Sequence, residues 1–289
     1  MGLENALSEI TLVLFTSLAP SGAVAIAIVA AVLAFARLDD GVRAKMNVFL
    51  CVPLIVTMVG LVASATHLGN PANALYVFMG VGRSPLSNEV FSAVMFLGLT
   101  GVYWLYSFSL RPNRALQRMW LCAIAVFAAA FVFFVGQAYS AETVITWDTA
   151  YGPAGIVCTA LLGGPLLAVV TLRLAGWAPA AAAFGKALAV VSAVALACGV
   201  ACFVAQGIAV LDMGNHIISV RELVPAYWPM VVAFAVLGAV GVGVFAGVAV
   251  DKIRYQLPVA VVALACLFVG IFVMRFAFYM MHLTVGVGV

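Results

Sequence analysis

Proton-exchanging and charged side chains are scarce in this sequence, so the few that stand beside long apolar runs invite a chemical reading. All three histidines, His67, His216 and His282, fall towards one side of those runs. Arg275 lies inside the last run, seven residues before His282, which at a rise of about 1.5 Å per residue puts it about 10 Å below that end. A cation at such depth costs at least a few kcal/mol, ~2.5 or more, unless it is paired, so it should face the interior of a helical bundle. Spacings of four and then three place Arg275, Tyr279 and His282 on one helical stripe. The nearest counter-charge in prospect is Glu89, which opens another run from the same side. Gln137 and Gln206 add polar groups at similar depth. Together, His67, Glu89, Gln137, Gln206, Arg275, Tyr279 and His282 would form a polar pocket at one membrane edge, walled by apolar side chains. Such a pocket suits a lipid-soluble molecule that exchanges protons. A quinol has a head that needs hydrogen bonds and a tail at home in lipid. Histidine and glutamate are the residues able to take its two protons near neutral pH.

Each residue also has a structural reading. His67 fits the last turn of a helix, where positive charge meets the helix dipole, and Glu89 fits a first turn. Arg275 fits half of an ion pair that fixes helix packing, and the glutamines fit interhelical hydrogen bonds.

The elements that must position these groups follow from composition. Of 289 residues, 66% are hydrophobic and 8% charged, against roughly 25% charged in an average soluble domain. A bilayer is therefore the solvent. The apolar runs are long and continuous, which selects helices over the short alternating segments of a barrel. Spanning the hydrocarbon takes roughly 20 residues, and eight runs qualify, near 10–36, 46–66, 90–109, 119–139, 153–174, 186–210, 229–250 and 257–282. The reading is an all-α polytopic membrane protein of about eight transmembrane helices, forming a single anchor domain over 1–289. Glu4 and Glu9 precede the first run with no basic residue, unlike a cleaved secretory signal, so that run should remain as a helix. Gly69 and Pro71 read as a helix stop, and Ser87 or Asn88 as an N-cap for the third span. Pro20-Ser21-Gly22 and Gly163-Gly164-Pro165 predict kinks within their spans. The six cysteines, Cys51, Cys122, Cys158, Cys198, Cys202 and Cys266, read as buried small hydrophobes.

Charge then orients the bundle. Arg37, Arg43, Lys45, Arg111, Arg114, Arg118, Arg173, Lys186, Lys252 and Arg254, ten of the thirteen basic residues, fall in the connections after spans one, three, five and seven. Only Arg83 and Arg221 lie in connections on the opposite side. Basic connections stay in the cytoplasm, which predicts both termini on the non-cytoplasmic side. The longer connections, 67–89, 140–152 and 211–228, then lie outside, where a site or docking surface is expected. A net charge of +3 implies no nucleic-acid partner.

Two other functions compete. A haem-carrying cytochrome would need histidine ligands, and only an outer haem between His67 and His282 could be built, because the cytoplasmic half has no histidine. A small-solute transporter would use the Pro20 and Pro165 kinks as broken helices around a midplane site, but neither a repeat nor a midplane charge cluster is apparent.

One family match ties these residues together. Ala65-Thr66-His67-Leu68-Gly69-Asn70-Pro71 followed by Leu86-Ser87-Asn88-Glu89, then Gly163-Gly164-Pro165-Leu166-Leu167, then Arg275, Phe278-Tyr279 and His282-Leu283-Thr284-Val285-Gly286 resemble the DmsC family, the membrane anchor subunits of dimethyl sulfoxide reductase. The resemblance spans nearly the whole chain in order. It implies a haem-free anchor in the cytoplasmic (inner) membrane that oxidises menaquinol at its outer face but does not carry out the terminal reduction. It further implies an iron–sulfur partner subunit with four 4Fe–4S clusters, docked on the periplasmic face, and a molybdopterin catalytic subunit beyond it. In that family, positions matching His67 and Glu89 are tied to menaquinol binding and oxidation.

Overall fold

In a computed structural model the described residues are 1–67, 71–177, 182–215, 217–250 and 253–283. His216, Lys252 and the motif residues 68–70 and 284–286 lie outside them. The chain runs α1 (Gly2–Ser8), α2 (Ile10–Phe35), α3 (Asp40–Phe49), α4 (Cys51–Thr66), a 3₁₀ helix (Pro71–Gly80), α5 (Pro85–Tyr106), α6 (Arg114–Ala138), α7 (Tyr151–Leu174), α8 (Ala182–Val210), α9 (Val220–Leu223), α10 (Tyr227–Ala249) and α11 (Leu257–Met280). Among the described residues eight helical segments are long and apolar enough to cross a membrane, with α3 and α4 together making the second. The all-α, eight-span reading of the sequence therefore holds.

The boundaries differ where polar residues extend a helix beyond its apolar stretch. The second span begins at Asp40 rather than near 46, because Asp40–Lys45 is helical although polar. The helix breaks at Leu50, where Pro53 has no N–H to offer the Phe49 carbonyl. The third span is capped by Ser84, not by Ser87 or Asn88: the Ser84 hydroxyl accepts from Ser87 N–H at 3.4 Å, and Pro85 occupies the first turn. Asn88 instead accepts from Gly82 N–H at 2.7 Å. Glu89 is consequently past the first turn, and its reading as a dipole-stabilised terminal acid falls away.

Helices α2 and α7 form the centre. Both are mostly buried within the protein, whereas the other six spans keep most of their surface outward, towards lipid. Apolar contact alone does not favour helix association in lipid, so close approach through small residues has to supply much of it. A Cβ on Gly164 of α7 would stand 2.6 Å from Val24 Cβ and 3.0 Å from the Ser21 carbonyl on α2. Across the other face of α2, a Cβ on Gly22 would meet Thr57 Oγ1 of α4. Several buried hydroxyls return to their own helices, as Ser17 does to the Val13 carbonyl (2.7 Å) and Thr100 to the Phe96 carbonyl (2.7 Å), which satisfies those donors in apolar surroundings.

Pro20 and Pro165 sit inside continuous helices, so neither makes the broken span that a transporter reading required. Ser192 of α8 donates to the Leu162 carbonyl at 3.1 Å, beside the carbonyl that Pro165 leaves without its helical donor. The cysteines depart from expectation: none is buried, and Cys198 is exposed. A thiol apolar enough for a core is equally at home against lipid, so an apolar run does not tell the two surroundings apart.

The α2–α7 contact generates a direct expectation. Gly164→Ala should destabilise the bundle by about 1–3 kcal/mol through overpacking, lowering the melting temperature of the detergent-solubilised protein. Gly185→Ala, whose Cβ would meet nothing within 4 Å, is the control and should leave that temperature unchanged or slightly higher.

Candidate functional site

The two ends of the bundle carry different chemistry. At one end the last turn of α2, the start of α3 and the start of α6 bring arginines together. At the other end His67, Glu89, Tyr139, Tyr279 and Arg275 gather with the connections that join the spans. Seven residues were predicted to share this second end, and the structure distributes them over three groupings and one singleton.

Arg275 organises the first grouping. It is 1% exposed and five residues from the end of α11, as the stripe argument required. Its Nε donates to Thr16 Oγ1 of α2 at 3.1 Å, and Thr16 in turn donates to the Leu12 carbonyl at 2.8 Å. Its guanidinium stands 4.3 Å from the ring centre of Phe278, 5.6 Å from Tyr139 and 5.7 Å from Tyr279. Desolvated contacts of this kind stabilise a cation by about 2 kcal/mol or more. The predicted counter-charge is not a direct partner: among the described residues no ion pair joins Arg275 to Glu89. Glu89 is itself buried, at 5% exposure, while Tyr139 and Tyr279 pack edge-on beside Arg275 with ring centres 5.8 Å apart. Arg275 Nη2 and Tyr279 Oη are buried without a hydrogen-bond partner among the described residues, two donor groups still unused.

Residues 140–150 close this end over α11. Thr146 Oγ1 donates to the Met281 carbonyl at 2.6 Å and Trp147 Nε1 to the Phe278 carbonyl at 3.2 Å, serving carbonyls the helix end leaves open. Trp147 stacks on Phe278 at 4.8 Å and meets the His282 ring edge-on at 5.1 Å. His282 lies just beyond α11 and is exposed, so the predicted stripe ends there.

His67 heads the second grouping. It caps the C-terminus of α4, and its Nε2 lies 3.2 Å from Glu9 Oε2, at the junction of α1 and α2. The contact has ion-pair distance, though it is not aligned as a hydrogen bond. Both side chains are partly open to the surroundings. A histidine beside a carboxylate is suited to accepting a proton, because the acid offsets the charge the imidazole gains.

Gln206 makes the third. It is buried against α10, where Tyr227 Oη lies 3.5 Å from its Oε1 and donates to the Phe203 carbonyl at 2.7 Å. Its partners tie α8 to α10 and none is a member of the Arg275 grouping. Gln137, half-buried near the end of α6, has no side-chain hydrogen bond among the described residues.

The sequence reading missed Glu9, Thr16, Tyr139 and Trp147. Glu9 was visible as an acid directly before the first span, at the depth of His67. Thr16 and Tyr139 carried no signal of their own, since a threonine two turns into a span and a tyrosine at a span's end are common.

Comparison with known proteins agrees with this architecture. The family model described as DMSO reductase anchor subunit (DmsC) matches residues 3–281. The sequence is 32% identical over 266 residues to the C subunit of anaerobic dimethyl sulfoxide reductase from Escherichia coli, covering 89% of this protein and 91% of that one. It is 28% identical over 285 residues to the YnfH subunit of anaerobic dimethyl sulfoxide reductase from the same organism, covering 99% of each. The corresponding C subunit from Haemophilus influenzae is 29% identical over 170 residues, covering 59% of this protein and 61% of that one. With eight spans and a match along almost its whole length, the protein belongs to the DmsC family of DMSO reductase membrane anchor subunits.

Proposed function

We propose that this anchor binds menaquinol at the end of the bundle that carries His67 and Arg275, and oxidises it there. The observation that carries the reading is the His67–Glu9 pair, a partly accessible imidazole with a carboxylate at 3.2 Å, on the same end as the buried Glu89, Tyr279 and Arg275. Oxidation of a quinol to a quinone releases two protons and two electrons. His67 accepts or relays a proton, with Glu9 offsetting the charge it gains. Glu89 orients the head or takes the other proton. Arg275 holds the local charge balance, and its Nη2, unpartnered among the described residues, together with Tyr279 Oη supplies donors suited to the quinone oxygen. Gln137 and His282 border the site; Gln206 acts through helix packing.

The end rich in arginine faces the cytoplasm in this reading, by the asymmetry of basic residues. Both termini and the quinol site then lie on the periplasmic face of the inner membrane. The partners are an iron–sulfur subunit with four 4Fe–4S clusters, docked over that face, and a molybdopterin catalytic subunit. The clusters are assigned to the partner because the six cysteines here are dispersed over five helices. Among the described residues no three His, Cys, Asp or Glu side chains gather as a metal site requires.

His67→Ala in the purified complex should lower quinol oxidation about a hundredfold or more, the usual yield of a positioned acid–base group. Reduction of the terminal acceptor by artificial donors should persist. Quinol oxidation that survives the substitution removes His67 from the mechanism. Glu9→Gln should produce a smaller loss, about tenfold, again with artificial donors unaffected.

Protons and electrons leave on one face in this scheme, so turnover in proteoliposomes should generate no membrane potential. A potential that builds with quinol oxidation, followed with a voltage-sensitive dye, contradicts the one-sided site.

A further inference from the structure

The opposite end of the bundle holds a pocket of about 620 Å³ that quinol oxidation does not use. Arg43, Arg114 and Arg118 line it, with Asp40 as the single acid. Each arginine spends one nitrogen on the protein. Arg43 Nη1 donates to the Leu33 carbonyl at 2.7 Å, Arg118 Nε to the Ala34 carbonyl at 2.9 Å, and Arg114 Nη2 to Asp40 Oδ1 at 2.5 Å. A guanidinium carries five N–H donors, so most of the donor capacity of all three is left to the pocket. Three positive charges and one negative leave an excess of two. The C-terminal dipole of α2 offsets only about half a unit of it. Like charges lining one pocket repel, and an anion placed among them relieves that repulsion.

Two further features narrow the anion. Gln117 lines the same pocket, is 2% exposed, and leaves its Oε1 without a partner among the described residues. A buried acceptor of this kind calls for a donor such as a hydroxyl. The rest of the wall is apolar, chiefly Leu33, Leu38, Met119 and Leu121, and exposed Phe35 and Met119 continue the apolar surface outward. A ligand that meets all of this has a phosphate, a hydroxyl beside it, and a tail that leaves along an apolar face.

We propose that this pocket binds the phosphodiester headgroup of an anionic glycerophospholipid with a free glycerol hydroxyl, such as phosphatidylglycerol. The phosphate lies among Arg43, Arg114 and Arg118, the hydroxyl donates to Gln117 Oε1, and the acyl chains run beside Phe35 and Met119. Basic pockets between spans are apt sites for acidic headgroups. The inference is independent of the quinol reading, since it concerns the other end of the bundle.

Native mass spectrometry of the protein purified from its membrane, delipidated and then offered matched phosphatidylglycerol or phosphatidylethanolamine, tests it. Phosphatidylglycerol should be retained about tenfold better, and excess inorganic phosphate should fail to displace it. Arg114→Gln combined with Gln117→Leu should abolish the preference while leaving the melting temperature of the lipid-free protein unchanged. Should that variant fold poorly, Asp40→Asn serves instead: it releases Arg114 and should strengthen retention of the anionic lipid. Equal retention of the two lipids, or a preference that ignores these substitutions, overturns the proposal. Full displacement by inorganic phosphate overturns the lipid assignment and makes the pocket a free-phosphate site.

Discussion

Arg275 imposes the constraint that the rest of the structure answers to. A guanidinium 1% exposed within a membrane span has no water to turn to, and every group around it has to stand in for solvent. Thr16 supplies an acceptor from α2, Tyr139 a ring from the end of α6, and Phe278 and Tyr279 rings from α11 itself. Three helices distant in sequence are therefore clasped at one depth. The aromatic character of the connection after α6 follows from the same need. Trp147 stacks on Phe278 and holds that ring over the cation, while its indole N–H occupies the Phe278 carbonyl. One buried charge thus specifies packing partners that apolar contact in lipid would leave undirected.

The opposite end meets the same electrostatic cost in another way. There the cations sit at helix ends, where α2 presents the open carbonyls of Leu33 and Ala34 and the negative pole of its dipole. Arg43 and Arg118 are thus tied down by backbone carbonyls, with the Phe35 ring 5.8 Å from the Arg118 guanidinium as a further contact. This explains how a cluster of arginines persists with one carboxylate among them. The polar start of α3 contributes to it, since Asp40 and Arg43 project from the helical extension that hydropathy alone overlooks. The two ends share one central helix, α2, which supplies Thr16 to one and its terminal carbonyls to the other.

How much of this was legible in the sequence depends on the kind of interaction. Span number and the interior placement of Arg275 were readable because the cost of polarity in hydrocarbon is large and local. Helix ends were less so. The cap at Ser84 competed with equally plausible Ser87 and Asn88, and only the position of Pro85 decides between them. Pairings between distant spans were not readable at all. Glu89 reads as the counter-charge of Arg275 because both are expected near one end, yet among the described residues no ion pair joins them, and the acid in direct contact with an expected site residue, His67, is Glu9. Nor does hydropathy separate a cysteine facing lipid from one facing protein, which is why Cys198 was misjudged.

Glu9 shows how a short amphiphilic segment shapes a proposed reaction site without touching the spans' apolar core. It occupies the junction between α1 and α2, so its position is set by where α1 docks. That docking is close: a Cβ on Gly2 would overlap the Leu223 carbonyl of α9, and α1 also packs on α11. The carboxylate beside His67 therefore depends on the two short helices at this end and on the helix that carries Arg275. His67 itself is fixed by α4, which α2 grips through Gly22 and Gly60. His67 and the buried cation share no direct contact among the described residues, but α2 bears the partner of each, Glu9 directly before its first turn and Thr16 within it. A shift of α2 along its axis would disturb both groupings together, so its tight seating against α4 and α7 is a condition of the site's geometry as well as of the fold.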